Sequence, residues 1–124
     1  MMIKGIGCDI VEIARIKASV AKSPALAKRV LTPAELQQYQ VHKQPERFLA
    51  KRFAAKEAIA KALGTGIGRG VSFQHIQISN NELGAPLASL TDGAFEQLQK
   101  MDASACLVSI SDEVNYAMAS AVIQ

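Results

Sequence analysis

The order of apolar and polar residues predicts a strand followed by several short helices in the first third of the chain. Residues 2 to 8 are apolar and glycine-rich, which predicts a strand that ends near Asp9. From Glu12 to Ala21 apolar residues recur at three- and four-residue steps, so this segment is predicted to be helical. A second short helix is predicted over residues 25 to 31. Thr32, Pro33 and Glu35 then have the spacing of a capping box, and a third helix is predicted to run from there to about residue 41.

The longest predicted element is a helix from near Pro45 to Gly64, where glycine allows a left-handed helix end. After the glycine-rich loop, "FQHIQI" predicts a strand, and "NNELGAP" at 80 to 86 predicts the turn of a hairpin. "LTDGAFEQLQKM" predicts a helix, and "CLVSIS" and "YAMASAVI" predict two strands joined at "DEVN". We therefore predict one α+β domain over residues 1 to 124, with early helices and a mainly antiparallel sheet late in the chain.

Charge is distributed unevenly along the chain. Residues 1 to 61 hold twelve Lys and Arg against five Asp and Glu, whereas residues 62 to 124 hold two against six. The first half is thus predicted to bind an acidic partner, such as a phosphorylated ligand, an acidic protein, nucleic acid or an anionic membrane.

Cysteine content and the N-terminal segment predict a cytoplasmic protein. The chain has only Cys8 and Cys106, too few for a disulfide framework, and they lack the spacing of a metal site. Lys4, Asp9 and Glu12 interrupt the apolar N-terminal segment, which is untypical of a signal peptide, and no apolar run reaches membrane-spanning length. We expect reduced thiols and no membrane partner.

Two carboxylates are candidate ligands for a hard divalent cation. Glu57 and Lys61 are four residues apart on the long helix, and Asp9 follows the predicted first strand. If the fold brings Asp9 against Glu57, their repulsion favours a cation between them, and oxygen ligands suit magnesium. The alternatives are an exposed Glu57–Lys61 pair and an Asp9 that only caps the following helix. The small side chains of Ala50, Ala54 and Ala60 on the same helix are expected to leave room for a ligand.

The loop "GTGIGRG" is a candidate phosphate site. It matches neither a Walker A motif nor G-x-G-x-x-G, but successive glycine amides can form a concavity that binds anions. Arg52, Lys56 and Lys61 lie on the helix that leads into this loop, which favours a pyrophosphate ligand. The alternative is a flexible connector after the helix end.

A basic run without acidic residues extends from Arg15 to Arg29. A solvated helix face is the default interpretation of such a run, and a docking surface for an acidic protein is the alternative. Nucleic acid is disfavoured, because aromatic residues are scarce here and no nucleic-acid-binding motif occurs.

Four segments together resemble the holo-[acyl-carrier-protein] synthases, the small bacterial phosphopantetheinyl transferases. They are "GIGCDIVEIARI", "RFLAKRFAAKEAIAKALGTGIG", "SFQHIQISNNELGAP" and "VSISDEVNYAMASAVI", and they cover essentially the whole chain in order. The resemblance implies that family's fold, with a small antiparallel sheet, helices packed on it and one long central helix. It also implies transfer of 4′-phosphopantetheine from coenzyme A to a serine of apo acyl carrier protein, in support of fatty acid biosynthesis.

The resemblance further implies roles for individual residues. Asp9 and Glu57 would bind Mg²⁺, and Lys61 would contact the pyrophosphate; these three would be the catalytic residues. The coenzyme A site would consist of Arg52, Lys61, Gly64, Thr65, Gly66, Asn81, Gly84 and Pro86, with the amides of Gly64 to Gly66 facing phosphates. The acidic carrier protein would bind at Arg15, Lys22, Lys28 and Arg29, and the protein would be a homotrimer with active sites between subunits.

One position departs from the family pattern, since Asp112 stands where many members have histidine after "VSI". Any nucleotide contact made by that histidine is not expected here. The main rival hypothesis is a non-catalytic module that binds an acidic protein or a nucleotide through the basic N-terminal half. It predicts that Asp9, Glu57 and magnesium are irrelevant to binding.

Overall fold

The computed structural model describes residues 2 to 124, which form five α-helices, five β-strands and a short 3-10 turn. The helices are α1 (Ile13–Lys22), α2 (Ala25–Val30), α3 (Pro33–Val41), α4 (Pro45–Ala62) and α5 (Asp92–Lys100). The strands are β1 (Gly5–Glu12), β2 (Ile76–Asn80), β3 (Pro86–Leu90), β4 (Cys106–Asp112) and β5 (Tyr116–Ile123). The predicted α+β class and the long central helix are confirmed.

The strands form two separate antiparallel sheets. The larger has the order β1-β5-β4, so the first strand pairs with the last, with Gly5 opposite Ile123 and Glu12 opposite Tyr116. The smaller is the predicted hairpin of β2 and β3. The "FQH" portion of the predicted strand is instead the 3-10 turn Phe73–His75, which Ser72 caps by accepting a hydrogen bond from the Gln74 amide.

Strand β1 continues past the end predicted near Asp9. Its last residues pair with β5, and Asp9 itself lies opposite Ala119. The N-cap of α1 is Glu12, whose side chain makes no capping hydrogen bond. The interpretation of Asp9 as a helix cap is therefore wrong, because cross-strand pairing holds this residue inside the sheet.

Helix α4 is the centre of the fold and packs directly on the larger sheet. A Cβ atom at Gly7 would lie 2.1 Å from the Ala58 carbonyl oxygen, and one at Gly5 would lie 2.0 Å from that of Ala62. These two glycines therefore let the backbone of β1 approach the helix much more closely than any other residue would allow. Ala50, Ala54 and Ala60 are fully buried, so the expectation that they leave room for a ligand is wrong.

The opposite face of the larger sheet carries apolar side chains that the chain itself leaves uncovered. Ile6 is 72% exposed, Ile10 64%, Leu107 52% and Met118 43%. Their positions alternate with inward-facing residues along β1, β4 and β5, and Ile10 lies opposite Met118. Several exposed apolar side chains thus share one face of the sheet, whereas single exposed apolar side chains are common on any protein. Such a shared face is typical of a surface buried by a partner.

Candidate functional site

Packing of β1 on α4 places the three predicted catalytic residues together. The Lys61 ammonium donates hydrogen bonds to Asp9 Oδ1 at 3.1 Å and to the Cys8 carbonyl oxygen at 3.0 Å. Glu57 lies one turn before Lys61 on α4 and is close enough to Asp9 for the two charges to affect each other. The structure thus brings a strand carboxylate, a helix carboxylate and a lysine to one point.

The pKa shifts at this point follow from crowding of two carboxylates. Burial raises the pKa of Glu57, the Asp9 charge raises it further, and Lys61 partly opposes both. The hydrogen bond to Asp9 raises the pKa of Lys61, although half of the Lys61 side chain is exposed, so this ion pair adds little stability. Two carboxylates thus face each other here, and a divalent cation between them would relieve their repulsion.

A cleft of about 290 Å³ opens beside Asp9. Its polar lining includes Asp9, Glu12 and Arg15, and an apolar wall is formed by Ile10, Val11, Ile16, Leu26 and Phe53. Sequence reasoning had not found this wall, because its members come from four elements and none carries a motif. The cleft therefore lies between Asp9 on β1 and the basic helix α1.

Of the residues predicted to bind a carrier protein, Arg15 lines this cleft. Arg15, Lys22, Lys28 and Arg29 are all exposed. The Arg29 guanidinium lies 5.6 Å from the centre of the Phe73 ring and is near enough to oppose the raised pKa of Glu57. A basic surface thus extends from α1 and α2 to the edge of the carboxylate site.

The glycine loop ends α4 as predicted, but its amides are already occupied. Gly64 and Gly66 have φ of 82° and 67°, where glycine is favoured. The Gly64 amide donates to the Lys61 carbonyl, and the amides of Thr65 and Gly66 both donate to the Ala60 carbonyl. A phosphate at this loop would have to share these donors or use others.

Several of the predicted coenzyme A residues line a second, wider cleft. This cleft of about 820 Å³ lies between the start of α4 and the β2–β3 hairpin, and Arg52, Gly84 and Pro86 all border it. Asn80 borders it as well, whereas the Asn81 side chain accepts hydrogen bonds from the Leu83 and Ala85 amides. Asn81 thus shapes the hairpin turn that borders the cleft.

The wider cleft also contains basic residues that sequence reasoning missed. Lys43, Arg47 and Lys51 line it, and Asp112 lies at its edge. Asp112 accepts a hydrogen bond from Arg47 at 2.9 Å and pairs with Lys51 at 3.6 Å. The basic spacing on α4 was visible in the sequence, but it is equally typical of a solvated helix face.

Lys56 does not contribute to a phosphate site. Its ammonium is fully buried and donates to Glu35 at 2.6 Å and to the Val30 and Phe73 carbonyls. Grouping it with Arg52 and Lys61 as a phosphate ligand was wrong, because it faces the protein interior. The capping-box residue Glu35 is its buried partner, and no sequence signal distinguishes this pair from surface charges.

The two clefts lie on different sides of α4. Arg52 and Lys61 are nine residues apart, which corresponds to about half a turn around the helix and about 13.5 Å along its axis. No residue among those described lines both clefts. Within one chain, Asp9 with Lys61 and the cleft bordered by Arg52, Gly84 and Pro86 therefore lie on different sides of α4.

Neither a complete metal cage nor a membrane-spanning helix occurs in the described part of the chain. Residues 2 to 124 include no group of three or more His, Cys, Asp or Glu side chains arranged around a metal position. Of the helices at 13 to 100, none combines the length and the apolar character needed to cross a membrane.

Comparison with known proteins relates the whole chain to one family. Residues 5 to 119 match the model of the 4′-phosphopantetheinyl transferase superfamily. A holo-[acyl-carrier-protein] synthase of Shewanella baltica (strain OS185) is 62% identical over 125 residues, which cover 100% of this chain and 98% of that protein. One from Shewanella oneidensis is 58% identical over the same shares of both chains.

Solved structures give the same relationship. The holo-[acyl-carrier-protein] synthase of Neisseria meningitidis superimposes with a TM-score of 0.93 at 43% identity, covering 99% of each chain. That of Helicobacter pylori, solved in complex with coenzyme A, has a TM-score of 0.83 at 35% identity, covering 96% of this chain and 99% of that chain. The Bacillus anthracis protein, in complex with CoA (3′,5′-ADP), has a TM-score of 0.84 at 36% identity, covering 99% of this chain and 97% of that chain.

Proposed function

The chain belongs to the 4′-phosphopantetheinyl transferase superfamily, and we propose that it uses Mg²⁺ to transfer 4′-phosphopantetheine from coenzyme A to a serine of apo acyl carrier protein. The names of its close relatives and the coenzyme A complex of a structural neighbour support this donor and acceptor. The observation that carries the catalytic proposal is the meeting of Asp9, Glu57 and Lys61 between β1 and α4.

Asp9 and Glu57 fit a magnesium site and are the residues that would hold the ion. Carboxylate oxygens are its preferred protein ligands, and burial and the Asp9 charge, which both raise the pKa of Glu57, support a cation between the two carboxylates. Two side chains leave positions for water and for phosphate oxygens of the donor, as is usual for magnesium. When bound, the metal would neutralise charge on the phosphates during the transfer.

Lys61 is proposed to stabilise the leaving group. Its exposed ammonium can turn from Asp9 to the oxygen that bridges the two phosphorus atoms. The serine hydroxyl of the carrier loses its proton to water or to a carboxylate of the site, and its oxygen forms a bond to the β-phosphorus while the bridging bond breaks, so negative charge passes to adenosine 3′,5′-bisphosphate. The attacking hydroxyl belongs to the carrier, and for this reason the chain needs no nucleophile of its own.

The nucleotide end of coenzyme A is assigned to the wider cleft. Arg52, Gly84 and Pro86 border it, and its additional lysine and arginine side chains suit a ligand with several phosphates. Lys61, Gly64, Thr65 and Gly66 are assigned to the pyrophosphate, and a phosphate there would take the Thr65 hydroxyl from the Gly66 carbonyl, to which it donates at 2.8 Å. Asn81 is assigned an indirect role through the hairpin turn.

We propose a homotrimer in which two subunits complete each active site. The nucleotide cleft and the carboxylate site lie on different sides of α4, so one coenzyme A molecule is better placed between the Arg52 of one subunit and the Lys61 of another. The uncovered apolar face of β1, β4 and β5 is the surface that assembly would bury.

The shared site can be tested by mixing two inactive variants. Arg52→Ala and Glu57→Ala, each assayed below saturating coenzyme A, should regain activity after joint refolding. In random mixing, about a quarter of the sites would combine the intact residues from two subunits. If each site is formed within one chain, mixing restores nothing.

The acidic carrier protein is assigned to Arg15, Lys22, Lys28 and Arg29, whose exposed charges adjoin the carboxylate site. Reversal of Arg15 to Glu should raise the KM for the carrier and leave the KM for coenzyme A unchanged. An unchanged carrier KM would exclude this docking surface. We assign the reaction to the cytoplasm and its product to fatty acid biosynthesis.

The direct test of the reaction is the intact mass of apo acyl carrier protein after incubation with this protein and coenzyme A. A gain of one phosphopantetheine with magnesium, and none with a chelator, is expected. Transfer that persists in the chelator would refute the metal requirement. No transfer with folded protein and a competent carrier would favour the non-catalytic binding module.

A further inference from the structure

Glu35 is a buried carboxylate that connects three elements beneath the wider cleft. It accepts hydrogen bonds from the Thr32 amide at 2.9 Å, the Ile78 amide at 2.8 Å and the Lys56 ammonium at 2.6 Å. The side chain is 1% exposed, as befits a carboxylate with this many donors. Glu35 therefore fixes α3, α4 and β2 relative to one another.

Arg52 shares this carboxylate and faces the cleft. Its Nε lies 3.8 Å from Glu35 Oε2, one terminal nitrogen donates to Asn80 Oδ1 at 3.4 Å, and the guanidinium stacks on Phe48 with 4.6 Å to the ring centre. The Arg52 side chain is only 7% exposed, yet its Nε makes no hydrogen bond within residues 2 to 124. The Arg52 guanidinium is thus a buried donor group beside the cleft, and its Nε–H has no acceptor among these residues.

The charges of this cluster do not balance. Glu35 supplies one negative charge, whereas Lys56 and Arg52 supply two positive charges. Glu35 pairs chiefly with Lys56, because its distance to the lysine is 2.6 Å and its distance to the arginine is 3.8 Å. One buried positive charge therefore remains at the cleft, where Arg47 and Lys51 are also found. A buried charge without a full partner is costly, which favours an anionic ligand at this position.

We propose that Glu35 is a positioning residue for the coenzyme A site, holding Arg52 and strand β2 so that the guanidinium meets a phosphate of the donor. Glu35 supports both partners of the Arg52–Asn80 hydrogen bond. It pairs with Arg52, and it accepts a hydrogen bond from the amide of Ile78, which is two residues before Asn80 on β2. Without it, Arg52 would lose its carboxylate partner and the Ile78 amide would lose its acceptor. The proposal rests on the nucleotide role that we assign to Arg52.

The test compares variants by their affinity for adenosine 3′,5′-bisphosphate, measured by titration calorimetry in a chelator. Lys56→Met is the matched control, since it removes the buried lysine but leaves Glu35 beside Arg52. Glu35→Gln in the Lys56→Met background removes the carboxylate charge without leaving a buried lysine unpaired. Thermal midpoints of all variants establish that they are folded.

We expect Arg52→Ala to weaken binding about tenfold, the loss of one charge-assisted hydrogen bond. The Glu35→Gln and Lys56→Met double variant should lose about as much, whereas Lys56→Met alone should stay within about twofold of wild type. Adding Arg52→Ala to the double variant should cause little further loss, because both changes act through the same guanidinium.

Two contrary results are distinguishable. If Arg52→Ala weakens binding while the double variant binds like Lys56→Met, Glu35 has only a structural role. If Arg52→Ala leaves binding unchanged, the nucleotide role of Arg52 is wrong and the proposal about Glu35 falls with it. Should the double variant not fold, Glu35→Asp decides, since the shorter carboxylate should raise the KM for coenzyme A but not kcat or the carrier KM.

Discussion

The close approach of β1 to α4 predicts that Gly7→Ala damages the active site from outside it. The added Cβ would lie 2.1 Å from the Ala58 carbonyl oxygen and 2.7 Å from the Ala62 amide nitrogen, whereas ordinary contact begins at 3.4 Å. Both neighbours are backbone atoms of a buried helix, so they cannot turn away. The strand must therefore move outward by about 1 Å, as overpacked cores do.

Two consequences of different size follow from this shift. Overpacking should lower the free energy of unfolding by about 1–3 kcal/mol. Asp9 follows Gly7 by two residues on the same side of the strand. A shift of the strand at Gly7 therefore also moves Asp9 relative to Glu57 and Lys61. A displacement of about 1 Å at a catalytic group costs about a hundredfold in rate, so kcat/KM should fall by about that factor while the protein remains folded.

Carrier phosphopantetheinylation and urea unfolding measure the two effects separately. Gly68→Ala is the matched control, because its φ of 116° makes alanine strained but no atom lies within 4 Å of the new Cβ. We expect this control to lose stability by about 1 kcal/mol and to keep its activity. If Gly7→Ala retained kcat/KM within about twofold of the control, the idea that glycine packing places Asp9 would be refuted.

Three further predictions concern charge, burial and assembly. Burial and a neighbouring carboxylate raise the pKa of Glu57 above its ordinary 4.5, so stability of the metal-free protein is lost as pH rises through the raised pKa. Glu57→Gln should thus raise the melting temperature in chelator at neutral pH but not below pH 4.5. A variant that melts below the wild type at neutral pH would contradict this. Lys56→Ala should cost about 3–5 kcal/mol in denaturant unfolding, because it strands a buried carboxylate, and a cost below about 1 kcal/mol would mean that the pair is solvated. Burial raises the pKa of Cys106 to about 11, so Ellman's reagent should label it slowly in the folded protein, whether assembled or not. Cys8 lies on the same exposed side of β1 as Ile6 and Ile10, and it should react only after Ile10→Glu separates the subunits. Rapid labelling of Cys8 in the assembled wild type would show that the outer sheet face is not the subunit interface.

Local sequence signals predicted the helices well and the long-range pairing poorly. The capping box at Thr32 and Glu35 and the helix end at Gly64 are where they were expected, since each is decided by neighbouring residues. The extension of β1 through Asp9 depends on pairing with β5, more than a hundred residues later, and periodicity carries no such information. The same limit applies to Lys56, because its spacing on α4 is that of a surface lysine and only the fold buries it.

The position of residues around α4 also explains how so small a chain handles so large a substrate. Coenzyme A carries phosphate groups at the 3′ and 5′ positions of its ribose and a long pantetheine arm, whereas side chains on one face of a helix reach only part of such a molecule. Here Arg52 borders the wider cleft, whereas Lys61 leaves α4 about half a turn away and pairs with Asp9. In the proposed arrangement, a single chain carries both halves of the site but does not bring them to one ligand. Symmetric assembly through the uncovered sheet face would place unlike halves of neighbouring subunits together, and each contact between subunits would then create one complete site.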